Sequence, residues 1–311
     1  MPPAESLVLP ATAGAALAGA IERLREAGSP TPRLDAELLV AHALERDRAW
    51  LLAHLDEPMP GRAGADLGAW VERRAAGEPI AYIRGFKEWY GLRVATDRRS
   101  LIPRPETELL ANTAIGDIAE RMGRDDRPIL TWEVGTGGGA VAVVLARRFR
   151  SALALGRLRL VASDVSPDAV ELAAENLAAH GLDRLVTLAV ADLLDPVGTV
   201  AEIPDVVVAN LPYLRSAEVK AGLGSLGWEP GAALDGGADG LVVIGQLLAC
   251  LPDRLAADGS VILEIGEDQA GSIRTLAAAL PGAWSVSTLR DLAGHERIVR
   301  LERIVRLERI P

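Results

Sequence analysis

Ile129-Leu130-Thr131-Trp132-Glu133-Val134-Gly135-Thr136-Gly137-Gly138-Gly139 is the stretch on which the fold turns. The short apolar run reads as a buried strand, the glycines as a tight turn, and Val141 to Arg148 as the helix that follows. Strand, glycine loop and helix in that order open a βαβ unit, which requires parallel partner strands elsewhere in the chain. The sequence supplies them. Apolar runs at Leu158 to Ser163, Val186 to Val190, Val206 to Ala209 and Val261 to Ile265 alternate with helical patterns at Asp168 to His180 and Leu241 to Leu255. The expected fold class is α/β with a mostly parallel sheet, and Trp284 to Leu289 with Arg297 to Leu301 are expected to close it as an antiparallel edge.

Upstream the texture changes. From Ala11 to about Gly77 the pattern is helical: Ala16, Leu17, Ala20, Ile21 and Leu24 recur at spacings of three and four until Gly28-Ser29-Pro30. Pro32 precedes a second run through Leu34, Leu38, Leu39 and His42, and Leu67 to Ala76 forms a third. A small all-helical domain is expected over residues 1–78. Ile80-Ala81-Tyr82-Ile83 and Phe86 to Val94, rich in aromatic and β-branched residues, predict a β-hairpin linker over 79–103. The α/β domain then covers 104–311, beginning with a helix toward Ile118. Within it, 302–311 repeats the preceding Glu296 to Leu301; the duplicate could extend that strand or pair beside it, but is read as a tandem duplication without a role.

Hydrophobic residues make up 49% of the 311, enough for packed cores and too many for a disordered chain. The single cysteine, Cys250, lies in an apolar run and reads as a small hydrophobe, so no disulfide forms within the chain. No targeting segment or apolar run of membrane-spanning length is evident, and a cytoplasmic, monomeric protein is expected. The formal charge of −10 argues against stable binding of nucleic acid through phosphate neutralisation. No histidine has metal-ligand spacing, and no metal is expected.

The glycine loop sits where the backbone passes close to a ligand without interference from side chains. Alone it leaves alternatives open, because Gly135, Gly137 and Ala140 also satisfy the dinucleotide pattern G-x-G-x-x-A, and a turn without any ligand would look the same. The next strand ends in Ser163-Asp164, which puts a carboxylate where both hydroxyls of a ribose can be accepted. The third ends in Ala191-Asp192-Leu193, offering a carboxylate to the exocyclic amine of adenine and an apolar side chain to its ring. Three acids, Glu133, Asp164 and Asp192, after three successive strands are poorly explained as independent caps. The candidate cofactor contacts are these acids with Gly135, Thr136, Gly137, Gly138, Gly139, Leu193 and Asn210.

After the fourth strand comes Asn210-Leu211-Pro212-Tyr213. An amide or arylamine nitrogen is a poor nucleophile because its lone pair is delocalised. The Asn210 side-chain oxygen and a neighbouring backbone carbonyl can each accept one N–H, turning that lone pair toward an electrophilic methyl group. Pro212 restricts Leu211 and so directs its carbonyl, and Tyr213 offers a flat face to a planar acceptor. The candidate catalytic and acceptor-binding residues are Asn210, Leu211, Pro212 and Tyr213. Taken in isolation the tetrapeptide is also an ordinary strand-ending turn.

On these residues the chain resembles class I S-adenosylmethionine-dependent methyltransferases, and in particular the bacterial peptide chain release factor N5-glutamine methyltransferases. The resemblance spans nearly the whole chain. It rests further on Pro79 to Gly85, Leu101-Ile102-Pro103-Arg104-Pro105-Glu106-Thr107-Glu108, Glu229-Pro230, Ala233-Leu234-Asp235-Gly236-Gly237-Ala238-Asp239-Gly240-Leu241, Leu263-Glu264-Ile265-Gly266 and Asp291 to Arg297. It implies a Rossmann-like, mostly parallel seven-stranded sheet, S-adenosyl-L-methionine as methyl donor with S-adenosyl-L-homocysteine as product, and class I release factors as protein partner. The acceptor it implies is the glutamine of their Gly-Gly-Gln motif, with the helical domain helping to hold the partner. One departure is Leu211, where the family usually has a first proline. Asn-Leu-Pro-Tyr also resembles the tetrapeptide of enzymes that methylate adenine N6, so an N6-adenine methyltransferase acting on RNA or DNA is the alternative. A non-catalytic binding protein and a nicotinamide-dependent oxidoreductase account less well for the intact acids and for Asn210 to Tyr213. Arg104 and Glu106 admit either a functional role or simple charge pairing at a helix start.

Overall fold

The computed structural model describes residues 12–195, 202–222 and 224–304. Within the described residues, α1 (Ala13–Glu26), α2 (Pro32–Ala43), α3 (Arg48–Ala53), α4 (Gly61–Ala75) and α5 (Ile80–Arg84) make up the helical part of the chain. The Thr12 hydroxyl accepts from Ala15 N at 3.2 Å and Asp47 from Trp50 N at 2.7 Å, caps that satisfy N–H groups with no partner inside α1 and α3. Leu17, Leu24, Leu39, Leu51 and Val71 fill the interior of this unit. Each fully buried leucine there contributes about 2 kcal/mol.

Ile80 to Ile83, read from sequence as part of a β-hairpin, form α5 instead. Pro79 sets the helical entry, and its carbonyl accepts from Tyr82 N at 3.0 Å and Ile83 N at 3.1 Å. β-branched composition loses here to that local turn. The short α3, with one buried leucine, also escaped the periodicity.

Two compact units are distinguished, Met1–Phe86 and Lys87–Pro311. The chain enters the second through the hairpin of β1 (Phe86–Trp89) and β2 (Leu92–Ala95), then α6 (Thr107–Arg124), β3 (Ile129–Val134), α7 (Ala140–Arg148), α8 (Arg150–Ala154), β4 (Leu158–Asp164), α9 (Pro167–Ala179) and β5 (Val186–Val190). It continues through β6 (Val206–Ala209), α10 (Ser216–Lys220), α11 (Val242–Arg254), β7 (Ser260–Glu264), α12 (Ala270–Ala278), β8 (Trp284–Arg290) and β9 (Glu296–Arg303). The described residues form a seven-stranded sheet in the order β5-β4-β3-β6-β7-β9-β8. β9 runs antiparallel to both its neighbours, and the strands from β5 to β7 are parallel. This is the expected α/β architecture. Glu302 and Arg303, the first residues of the terminal repeat, extend β9 opposite Ser260 and Trp284; 305–311 lie outside the described residues.

Alternation along the strands sends side chains to two different layers. Leu130, Trp132, Val134, Val207, Ala209, Val261 and Leu263 join the core under α11 and α12, while Ile129, Val206, Val208 and Ile262 join the core with α6 and α7. The α6 face also carries polar residues. Asp117 on α6 accepts from Ser260 Oγ at 2.6 Å and Arg300 Nε at 2.8 Å, which fixes α6 over β7 and β9. Strand order reverses between β3 and β6, the switch point where open α/β sheets form a crevice beyond their carboxyl ends.

Candidate active site

The crevice at this switch point is a cleft of about 330 Å³. Glu133, Gly135, Thr136, Gly137, Gly138, Asp164, Asp192, Leu193, Asn210, Leu211 and Pro212 line it, so most of the residues singled out in the sequence meet there. Gly139 and Tyr213 are not among the lining residues. Gly139 faces α9, where an added Cβ would stand 2.9 Å from that of Ala173. The ring of Tyr213 packs instead against the core beneath α11, and burial pushes its phenol up to about 12.

On one side of the switch point, each acid sits at the carboxyl end of its own strand. Glu133 is the penultimate residue of the buried β3 and is 4% exposed; burial first, and the neighbouring Asp164 carboxylate second among the raising influences, push its carboxyl up to about 8. Its Oε2 and the Thr136 hydroxyl oxygen are buried and lack a hydrogen bond of normal geometry, although Thr136 and the Ala142 backbone lie near enough to oppose the rise. Such atoms are costly unless something in the cleft satisfies them. Asp164 accepts from Gly137 N and from Ser166 N, each at 2.9 Å, and thereby ties the glycine loop to the end of β4. Asp192 is exposed at the rim, beside Leu193, whose φ of 50° is left-handed.

Across the switch point, long-range partners hold the tetrapeptide. Asn210 Nδ2 donates to Thr107 Oγ1 at 3.2 Å, at the start of α6. Leu211 is 5% exposed and packs into the core below α11. At Gly135, φ is 70° and an added Cβ would lie 3.0 Å from Leu211 Cδ2, so glycine there also makes room for leucine. The Tyr213 carbonyl accepts from Gln269 Nε2 at 2.9 Å, and the same amide donates to Gly240 O at 3.1 Å. Gly240 has φ 76° and an added Cβ would stand 2.3 Å from Tyr213 O, so no other residue fits.

Leu234 to Gly237 run beside the chain leaving Tyr213: Leu214 N donates to Leu234 O at 3.1 Å and Gly236 N to Leu214 O at 2.8 Å. The Gly-Gly-x-Asp-Gly-Leu segment is thus the backbone rack on which the tetrapeptide rests. The wall opposite is latched by Glu229, which accepts from Ile102 N at 2.9 Å and pairs with Arg104. Arg98 adds its guanidinium over the Trp228 ring at 4.4 Å. Arg104, left open between pairing and function by the sequence, joins Glu229 rather than Glu106.

The family model described as the PrmC N-terminal domain matches residues 15–85. A release factor glutamine methyltransferase of Deinococcus radiodurans is 38% identical over 288 residues, covering 91% of this chain and 96% of its own length. One of Rhodopirellula baltica is 35% identical over 280 residues, covering 89% and 92%. The chain belongs to the release factor glutamine methyltransferase family. Among solved structures, the hMettl16 catalytic domain in complex with the MAT2A 3'UTR hairpin 6 has a TM-score of 0.51 at 14% identity, covering 79% of this chain and 83% of that one; it attests the fold alone.

Several residues in or behind the cleft gave no local signal. Thr107, Glu229 and Glu264 lay inside segments that carried the resemblance, but nothing in their spacing assigned them partners; Gln269 lay in none. Glu264 ends β7, is 1% exposed, and has both carboxylate oxygens without a hydrogen bond of normal geometry. Burial pushes it up to about 7. An unpaired acid at the end of an apolar strand is the one signal that the sequence held for it.

Proposed function

We propose that this chain transfers the methyl group of S-adenosyl-L-methionine to the side-chain amide nitrogen (N5) of the glutamine in the Gly-Gly-Gln motif of class I peptide chain release factors. The observation that carries the reading is the Asn210 amide at the switch point, opposite a glycine loop whose buried Glu133 Oε2 and Thr136 Oγ1 lack hydrogen bonds of normal geometry. Those atoms fit the polar amino-acid end of the cofactor. Asp164 keeps lone pairs for the ribose hydroxyls, and exposed Asp192 with Leu193 suits the adenine. When bound, the cofactor supplies a methyl group on a positively charged sulfur.

The rest follows from the chain's own atoms. Asn210 Oδ1 and the Leu211 carbonyl each accept one N–H of the acceptor amide, so its lone pair turns toward the methyl group. Nitrogen becomes cationic as the bond forms and then loses a proton to water, with no general base required beforehand. Tyr213 enters through its carbonyl, which Gln269 holds, more than through its ring. Pro212 and the rack of Gly236 to Gly240 keep the acceptor carbonyls fixed, so little reorganisation accompanies transfer. The helical N-terminal region is the part we assign to gripping the protein partner.

Incubating the purified chain with methyl-labelled cofactor tests this reading. Label is expected in a class I release factor and not in a variant whose acceptor Gln is replaced. Label in RNA or DNA, with none in the release factor, would point to adenine N6 as acceptor and refute the proposal.

A further inference from the structure

Asn210 can serve an acceptor amide in only one orientation. With Oδ1 toward the acceptor it receives an N–H; rotated by half a turn, it presents Nδ2 and repels the same group. Something behind the cleft must choose. Ala209 pairs in register with Leu263, so the next residues on β6 and β7, Asn210 and Glu264, lie side by side. Both fall on the face covered by α6, whose first residue is Thr107. Thr107 Oγ1 already accepts from Asn210 Nδ2, and its own hydroxyl proton then needs an acceptor.

Glu264 is the acid at hand, 1% exposed with both oxygens lacking a hydrogen bond of normal geometry. We propose that Glu264 is a positioning residue for methyl transfer: its carboxylate takes the Thr107 hydroxyl proton as a hydrogen bond, and Thr107 thereby holds Asn210 with Oδ1 toward the acceptor. The inference rests on the reading of Asn210 given above. It adds a residue that does not line the cleft.

The ionised form performs this role. A protonated Glu264 is itself a donor, turns the Thr107 hydroxyl toward Asn210, and favours the rotated amide. Burial is the chief influence raising its pKa; Thr107, the Arg297 guanidinium and Asn210 oppose the rise, and Glu106 adds to it. Tyr213, neutral at these pH values, also feels the Glu264 charge. Arg297 is placed by the β8–β9 turn, where its Nε donates to Asp291 at 3.1 Å and its Nη1 to Ile265 O at 2.9 Å. That turn is the Asp291 to Arg297 segment of the sequence, so its side chains help set the charge behind Asn210. With Glu264 near 7, turnover should fall as pH drops from 8 to 6.

Turnover on a release factor and cofactor affinity, measured from pH 6 to 8.5 for the wild type, Glu264→Gln, Thr107→Val and Thr107→Ser, test the idea. Thr107→Val is expected to lower kcat about tenfold or more, the loss of a charge-assisted hydrogen bond, with Thr107→Ser restoring most of it. Glu264→Gln is expected to abolish the acid limb of kcat. At each pH the cofactor affinity of every variant should stay within about twofold of the wild type, since the contact is made to the acceptor side. An unchanged acid limb in Glu264→Gln, full activity in Thr107→Val, or a parallel loss of cofactor binding would overturn the proposal. Failure of the wild type to methylate the release factor would count against the functional reading instead. The inference is then decided without any acceptor by the Asn210 side-chain amide resonances, which should titrate in the wild type and not in Glu264→Gln.

Discussion

The two sides of the cleft are built in opposite ways. On the side proposed for the cofactor, Glu133, Asp164 and Asp192 each sit at the carboxyl end of their own strand, and the glycine loop is closed by a residue only 27 positions away, through Asp164 to Gly137 N. On the side proposed for the acceptor, Asn210 meets Thr107 across 103 positions, Arg104 meets Glu229 across 125, and Tyr213 O meets Gln269 across 56. Local chemistry makes the first side; tertiary convergence makes the second. The sulfonium cofactor needs a groove that any similar sheet provides, whereas a weakly nucleophilic amide needs fixed carbonyls and hence a braced backbone.

Substitutions can break this division, beginning with the largest effect. Asn210→Ala removes the side-chain acceptor and is expected to lower kcat by about 100- to 1000-fold, read in single-turnover methyl transfer. Activity within a few-fold of wild type would mean that another group orients the amide. Arg104→Met strips the partner from a Glu229 side chain only 1% exposed and should cost about 3 kcal/mol of stability, measured by denaturant unfolding. The half-open guanidinium side keeps the effect at the low end of that range. An unchanged midpoint would show that the latch contributes nothing.

Protons offer a subtler separation. Glu133 has its pKa raised by burial to about 8, so proton loss costs the folded state free energy as pH climbs from its ordinary carboxylate range through 8. A cofactor ammonium seated on ionised Glu133 reverses that penalty. Cofactor affinity should therefore rise with pH between 6 and 7.5, by up to about tenfold per unit, and Glu133→Gln should flatten the slope. A slope that persists in the variant would move its origin elsewhere. The smallest effect is expected from Leu211→Pro, which restores the family's usual double proline. The acceptor carbonyl survives, so kcat should stay within about threefold, while lost packing of a 5%-exposed leucine lowers stability by about 2 kcal/mol.

The same division explains what the sequence made legible. β3 and β6 were readable to the residue because buried parallel strands are short, mainly apolar runs, and β5, at the edge of the sheet and only partly buried, was readable from its β-branched Val-Thr-Leu-Ala-Val composition. α12 went unread: its nine residues are mostly small and bury only Ala270, Ile273 and Ala277. α5 was misread because Ile80-Ala81-Tyr82-Ile83 has strand composition but follows a helix-starting proline. In the cleft, the strand-end acids that line it were singled out from position alone. Tyr213 was given a ring-stacking role because aromatic faces suit planar acceptors, yet its ring packs into the core and its carbonyl carries the contacts. Gln269 could not be found by any local rule. Its importance is a matter of where Gly240 and Tyr213 arrive, and the sequence does not state that arrival.

Calorimetric titration of S-adenosyl-L-methionine into Asn210→Ala and Asp164→Asn, side by side with the wild type, tests the division most directly. The account predicts that Asp164→Asn weakens binding by about tenfold or more through a lost charge-assisted hydrogen bond, while Asn210→Ala binds within about twofold of wild type. Equal weakening by the two variants would contradict it, because Asn210 would then belong to the cofactor and not to the acceptor.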